Sequence, residues 1–257
     1  MLNFRSTSIV FILAVCGVAL LHYFSGISLW WIIIPILIYK VFIIYGSANI
    51  QSDFYTTALC NSTSSEKEIA ITFDDGPNVE FTPKVLAALA EYNALATFFV
   101  IGKNIHGNEN IIKQIGAAGH LIGNHTFSHS FFIDFKSKNG FMFELDATSD
   151  AIFKIIGKRM KLFRPPYGVT TPNLARASET LNYYVIGWNI RSLDTTKDNE
   201  KTIQKRIEEQ LKPGAIILFH DTSDKTVQVL KQTLNFAKEN GFKIVSLEQL
   251  LKLKAYE

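Results

Sequence analysis

Two long apolar runs open the chain before any pattern with a polar face begins. Residues 6–24 (STSIVFILAVCGVALLHYF) hold no Lys, Arg, Asp or Glu, and residues 27–45 (ISLWWIIIPILIYKVFIIY) hold only Lys40. About 20 such residues cross the hydrocarbon core of a bilayer as a helix, so each run predicts one span. Trp30, Trp31, Tyr39 and Tyr45 stand near the ends, where amphipathic rings favour the interface, and Lys40 can snorkel toward the second span's C-terminal end. Only Ser25-Gly26 and their neighbours separate the runs, which suits a tight antiparallel hairpin. A cleaved signal peptide fits less well, because no small-residue cleavage pattern follows the first run and a second long run comes at once. The expected organisation is a membrane anchor over residues 1–48, a polar Ser/Thr/Asn-rich linker over 49–65, and one folded domain over 66–257.

Past residue 66 the pattern changes to short β-branched or apolar runs alternating with amphipathic ones. Strands are predicted at 68–74, 96–101, 121–124, 161–164, 183–188, 215–220 and 243–246, and helices at 82–92, 109–118, 141–156, 172–181, 199–211 and 225–240. Gly119, Gly140, Pro213-Gly214 and Gly241 punctuate the boundaries. Alternation repeated this often implies a parallel sheet, closed as a barrel or open and doubly wound. Polar residues fall at the predicted C-terminal strand ends: Asp74 and Asp75, His125, Arg164, Asp194 and His220. Contributions from five strands favour the barrel, whose sites gather at that end, over an open sheet with one switch point. The expected fold is therefore α/β, a distorted (β/α) barrel of about seven strands behind a transmembrane helical hairpin.

Charge sharpens the division. Residues 1–65 contain three charged side chains, Arg5, Lys40 and Asp53, so nearly all the charge belongs to the large domain, at a net of +2 out of +3 for the chain. A near-neutral domain lacks the concentrated basic face of non-specific nucleic-acid binding. Cys16 and Cys60 can neither staple that domain nor build a thiolate metal site. Two spans put the N-terminus and the large domain on one side of the bilayer. Arg5 and Lys40 lie toward that side and lean it weakly to the cytoplasm.

Two motifs carry chemistry. His125-Thr-Phe-Ser-His129 sets two imidazoles four residues apart, and in a helical turn that spacing puts both on one face to grip a divalent ion. Asp74-Asp75-Gly76-Pro77 ends an apolar strand, where adjacent carboxylates point different ways, so one can bind a metal while the other stays free as a base. Alone, each motif is ordinary: paired surface histidines are common, and Asp-Gly-Pro is a frequent turn. Together they supply two imidazoles and a carboxylate, a ligand set for Zn²⁺ or a similar ion with positions left for water and substrate. That set fits metal-assisted hydrolysis.

Thr72-Phe-Asp-Asp-Gly-Pro77, His125-Thr-Phe-Ser-His129, Arg164-Pro-Pro-Tyr-Gly168 and Leu218-Phe-His220 follow the order and spacing of the polysaccharide deacetylase family, also called the NodB-homology domain or carbohydrate esterase family four. The chain resembles that family over about residues 68–250. The resemblance implies a deacetylase of N-acetylated glycans with Asp75, His125 and His129 as ligands of one divalent metal, Zn²⁺ with Co²⁺ or Ni²⁺ as substitutes. It implies Asp74 as general base, held ionised by a bidentate pair with Arg164, and His220 as general acid. The backbone N–H of Tyr167 would meet the oxyanion, in a loop stiffened by Pro165-Pro166. Leu218 would line the acetyl pocket, or belong simply to the core.

One motif departs from the family pattern of acidic-x-x-Asp-Trp. Here the segment reads Trp188-Asn-Ile-Arg-Ser-Leu-Asp194-Thr195, with Arg191 at the first acidic position and Thr195 in place of the Trp. Asp194 is expected to pair with His220, unless Arg191 pairs with Asp194 instead; Arg191 could also bind a substrate carboxylate or phosphate, and Trp188 could swing into the acetyl pocket. Phe127, Phe131, Phe132 and Phe135 cluster in sequence beside the metal motif, as a sugar platform or as core. The leading expectation is a membrane-anchored deacetylase acting on peptidoglycan or a similar polymer, with its catalytic domain outside the cytoplasm. The alternatives are a deacylase of a lipid-linked amino sugar and a catalytically weakened glycan-binding relative; a phosphoesterase would want a two-metal ligand set or a phosphate loop, and neither is present.

Overall fold

A computed structural model of the chain describes residues 3–257. Its central sheet runs in the order β1 (Ala58–Leu59), β6 (Tyr184–Ile186), β5 (Leu162–Phe163), β4 (Leu121–Asn124), β3 (Ala96–Val100), β2 (Glu68–Asp74), β8 (Ile216–His220), β7 (Ile190–Arg191), with β9 (Lys243–Ile244) pairing β2 at its start. Every strand pairing in it is parallel. The sheet curls into the expected distorted (β/α) barrel but is left open between its end strands β1 and β7. A single antiparallel bridge, Asn61 to Ala215, ties the chain after β1 to the foot of β8.

All seven predicted strands and six predicted domain helices are present, the helices as α3 (Phe81–Glu91), α4 (Glu109–Ala117), α5 (Lys138–Ile156), α6 (Pro172–Thr180), α7 (Glu200–Gln210) and α8 (Asp224–Glu239). The pattern did not announce three short elements: β1, β7 and the five-residue α9 (Leu247–Leu251). None is long enough to show a period.

Strand alternation sets which residues reach the chemistry. Ile69, Ile71 and Phe73 of β2, with Phe98, Ile217 and Phe219 on its neighbours, face outward and pack beneath α3, α4, α7 and α8. Phe73 stacks at 5.1 Å on Phe98 and at 5.8 Å on Phe219. Thr72 and Asp74 therefore face the barrel interior. Register does the rest: Asp74 lies opposite Phe99 on one side and opposite His220 on the other.

The two apolar runs form α1 (Phe4–Ser25) and, after a 3₁₀ turn at Leu29–Ile32, α2 (Ile33–Ala48). Phe4–Ser25 and Leu29–Ala48 have mean hydropathies of 2.1 and 2.0 and are long and apolar enough to cross a bilayer. They pack on each other through Phe11 stacked on Tyr39 at 4.4 Å and a Ser8–Tyr39 hydroxyl bond of 2.9 Å. Leu13, Leu20, Trp30, Leu37 and Ile44 are left bare.

Segment 49–65, expected as a linker, is built into the domain. β1 pairs with β6, and the buried Ile50, Phe54 and Cys60 anchor its flanks. The hairpin's base is fixed there too. Phe4 N donates to Phe54 O (2.9 Å), Thr170 N to Ser47 O (3.0 Å) and Thr170 Oγ1 to Gly46 O (3.2 Å), while Gln51 Nε2 donates to Trp188 O (3.0 Å). Gly46 is glycine because the Phe54 ring fills the space a Cβ would need. Gly46→Leu should cost about 1–3 kcal/mol of local packing. Limited proteolysis within residues 49–57 should then quicken at least several-fold, and an unchanged cleavage rate would show that the seam does not depend on this contact.

Candidate metal and catalytic site

The inward-facing strand ends converge on one patch. β2 ends on Asp74, and the chain turns at once through Asp75, whose φ of 75° is unusual for a residue with a side chain. β4 leads into His125 and a loop ending at His129. The sequence suggested a helical turn there, but the loop has no helix. Instead Thr126 (φ 65°) and His129 (φ 45°) reverse the backbone twice. The imidazoles still meet, with ring centroids 4.9 Å apart.

Glu144 of α5 explains why such a loop holds its shape. This buried carboxylate accepts from Phe127 N (3.0 Å), Ser128 N (2.6 Å) and Ser128 Oγ (2.9 Å), and Lys136 Nζ lies 3.2 Å away. Sequence reading missed Glu144. Its signal was an acid set in the buried stripe Phe141, Leu145, Thr148 and Ile152.

Asp75, His125 and His129 bring one ligand atom each to within 4.8 Å of one another. Asp75 Oδ1 lies 3.7 Å from His125 Nε2 and 3.4 Å from His129 Nε2, and it is buried with no hydrogen-bond partner. An orphaned buried carboxylate oxygen facing two imidazole nitrogens is the donor set a divalent cation would satisfy. His125 Nδ1 sits 2.7 Å from Arg164 O, which fixes the ring and turns Nε2 toward Asp75. Burial drives the His125 pKa down to about 3, partly opposed by the Asp75 charge, so the ring is neutral as a ligand must be.

Arg164, fully buried at the end of β5, reaches through the interior to Asp74. The expected bidentate pair is not formed. Nη1 donates to Asp74 Oδ1 (2.9 Å) and to Thr72 Oγ1 (2.7 Å), while Nη2 donates to Gly187 O (2.8 Å) and Nε to Ile186 O (3.2 Å). The Ile186 and Gly187 carbonyls at the end of β6 take the second prong and Nε. Burial raises the Asp74 pKa above the ordinary carboxylate range, and Arg164 and His220 pull it back only in part.

Pro165-Pro166 leads to Tyr167, itself in the left-handed region at φ 59°. The Tyr167 ring packs edge-on against His129 at 4.8 Å. Trp188 is buried under this loop, its ring occupying the space a Cβ on Gly168 would take.

Asp194 pairs with His220 as expected, Oδ1 to Nδ1 at 2.9 Å, and Oδ2 accepts from His220 N (2.8 Å) and Thr226 Oγ1 (2.8 Å). Ser192 Oγ donates to Oδ1 at 2.9 Å. Burial lowers the His220 pKa, but the hydrogen bond and charge of Asp194, with Asp74 and Asp75 behind, carry it above the usual imidazole value. Arg191 takes no part: it is exposed, with its guanidinium 5.8 Å from the Trp188 ring. Leu218 is buried in the interior between Thr72 and Arg191, its register partners on the flanking strands. The structure thus gathers Asp74, Asp75, His125, His129, Arg164, Tyr167, Asp194 and His220, and leaves Arg191 outside.

The sequence profile described as polysaccharide deacetylase matches residues 61–186. A peptidoglycan-N-acetylglucosamine deacetylase of Bacillus cereus is 32% identical over 192 residues, covering 73% of this chain and 70% of the relative. The peptidoglycan-N-acetylmuramic acid deacetylase PdaA of Bacillus subtilis is also 32% identical over 192 residues, 73% of each protein. Among solved structures, the Bc1960 peptidoglycan N-acetylglucosamine deacetylase, crystallised with 4-naphthalen-1-yl-N-oxidanyl-benzamide, superposes with a TM-score of 0.74 at 30% identity, over 77% of this chain and 94% of that one.

Glu144→Ala should loosen the loop between the two imidazoles and weaken affinity for a divalent ion roughly 10- to 100-fold, as loss of an outer partner does at other metal sites. Titration of the stripped protein with Zn²⁺ measures this, and an unchanged affinity would reduce Glu144 to a packing role.

Proposed function

The chain belongs to the polysaccharide deacetylase family, and on that premise we propose that its site hydrolyses the acetamido group of an N-acetylated amino sugar in a cell-wall glycan such as peptidoglycan. The observation that carries this reading is the register of β2 on β8, which sets Asp74 opposite His220 on adjacent strand ends beside the Asp75, His125 and His129 cluster. A base and an acid so placed can flank one scissile amide.

A divalent ion held by Asp75, His125 and His129 would polarise the acyl carbonyl and acidify water; the nitrogen-and-oxygen ligand set suits Zn²⁺, with Co²⁺ and Ni²⁺ as substitutes. The chain's own groups move the protons. Asp74 accepts one from the attacking water as the C–O bond forms. The single Arg164 bond keeps Oδ2 free of the guanidinium. The Tyr167 N–H is pre-aimed by the Pro165-Pro166 turn to meet the negative oxygen of the tetrahedral intermediate. His220, kept protonated by Asp194, gives its proton to the departing nitrogen as the C–N bond breaks, releasing acetate and the amine.

We read the two apolar helices as a membrane hairpin that holds the catalytic domain outside the cytoplasm, within reach of the wall. One observation favours a second substrate with the same chemistry: the hairpin's base bonds Thr170, three residues from Tyr167. A lipid-linked amino sugar in the headgroup layer would meet such a site. Acetate release from peptidoglycan and from a lipid-linked N-acetylated sugar, compared in parallel, decides between them.

Asp74→Asn should lower acetate release by roughly 10²–10⁴-fold while the protein still binds its metal; persistent turnover would remove Asp74 from the base role. Asp194→Asn should bring the His220 pKa back down. His220 acts as an acid only while protonated, so the alkaline limb of the kcat/KM profile should move to lower pH, and a stationary limb would deny the pairing its catalytic part.

A further inference from the structure

The loop between the metal motif and α5 carries three bare rings. Phe131, Phe132 and Phe135 are 78%, 67% and 84% exposed. They form one patch: Phe131 and Phe132 stand 5.3 Å apart, Phe132 and Phe135 6.5 Å apart, and Phe131 meets Tyr167 at 6.5 Å. The core reading of these residues therefore fails for all three. A sugar platform needs hydrogen-bonding groups beside its rings. Between 131 and 135 the remaining side chains are Ile133, which is buried, and Asp134, whose Oδ1 is buried and turned inward. Within residues 131–135 the three rings are the side chains most exposed to solvent.

Its place in the fold says what covers it. The patch lies on the rim at the C-terminal ends of the strands, the end at which the helical hairpin joins the domain. Short bonds link the two: Asn173 Nδ2, at the start of α6, donates to Lys136 O (3.1 Å) directly after Phe135, and three residues earlier Thr170 is bonded to Gly46 and Ser47 of α2. Two polar contacts, through residues 170–173, thus connect the Phe loop to the last turn of α2. Lys138 follows that loop, as cations do beside apolar residues that enter a headgroup layer, while Lys136 is paired with Glu144.

We propose that the loop carrying Phe131, Phe132 and Phe135 is a second membrane contact, dipping into the interface of the bilayer crossed by the hairpin and holding the catalytic mouth at headgroup level. The proposal rests on the anchor reading above. It gives the enzyme two attachments, one spanning and one interfacial, and of the two substrates named above it favours the lipid-linked amino sugar.

The test uses the full chain in phosphatidylethanolamine–phosphatidylglycerol vesicles that contain lipids bromine-labelled on the acyl chains. Cys16→Ala leaves only the buried Cys60, and a bimane probe is then placed by Phe132→Cys, by Leu20→Cys in α1, or by Glu239→Cys at the far end of α8. The expected result is strong quenching at positions 20 and 132 and little at 239, with quenching at 132 falling at least twofold when Phe131 and Phe135 are both changed to Ser. Quenching at 20 with position 132 no different from 239 overturns the inference and leaves the anchor intact. Absence of quenching at 20 brings down the anchor reading and the inference together. A probe at 132 that responds to soluble N-acetylglucosamine tetramer and not to lipid would make the loop a glycan platform and overturn the inference as well.

Discussion

One buried guanidinium holds the catalytic end of the barrel together. Arg164 binds Thr72 and Asp74 on β2, the last carbonyls of β6, and through its own backbone Asn124 and His125. Phe99 at 4.2 Å and Trp188 at 5.5 Å lie against it. A fully buried cation is tolerable only when its donors are spent on well-placed acceptors, and here four of its five N–H groups have a named oxygen. The same residue therefore restrains Asp74, the His125 imidazole and the loop that carries Tyr167. Loss of its charge would leave Asp74 as an uncompensated buried carboxylate, a change that costs about 3–5 kcal/mol in comparable pairs.

Around that centre the backbone departs from its comfortable regions. Asp75, Thr126, His129, Tyr167 and Leu193 all adopt positive φ, and each lies in or next to the site. Such conformations cost on the order of 1–3 kcal/mol apiece and persist only where the surroundings insist on them. Glu144 insists for the histidine loop, the paired prolines for Tyr167, and the Asp194–Ser192 bond for Leu193. Rigidity bought in this way lets Asp75, His125 and His129 converge from two loops without a shared helix.

Sequence pattern reached most of this because the barrel's alternation is local. The inward polar residues stand at strand ends where a period-two reading puts them. What stayed hidden depends on tertiary partners. The second prong of Arg164 goes to β6 carbonyls, which no side-chain motif records. Arg191 looked like a rival for Asp194, yet β7 turns it to solvent while Ser192 and Leu193 bend the chain back inward. The HxxxH spacing suggested a helix, and the imidazoles met through two left-handed residues instead. Strands of two residues, such as β1, leave no period to read at all.

The seam between hairpin and domain alters what counts as a separable piece. β1 lies between the apolar helices and the first catalytic strand, and it closes the β6 edge. A soluble fragment cut where composition changes, near residue 65, would uncover that edge and expose Gly187, which Cys60 and Ile50 now shield. One cut just past the second helix would keep the strand but strip Thr170 of its two carbonyl partners, freeing the far end of the Tyr167 loop. The apolar hairpin and the candidate site are thus mechanically continuous, and a force applied to the helices would pass through Thr170 into the Tyr167 loop.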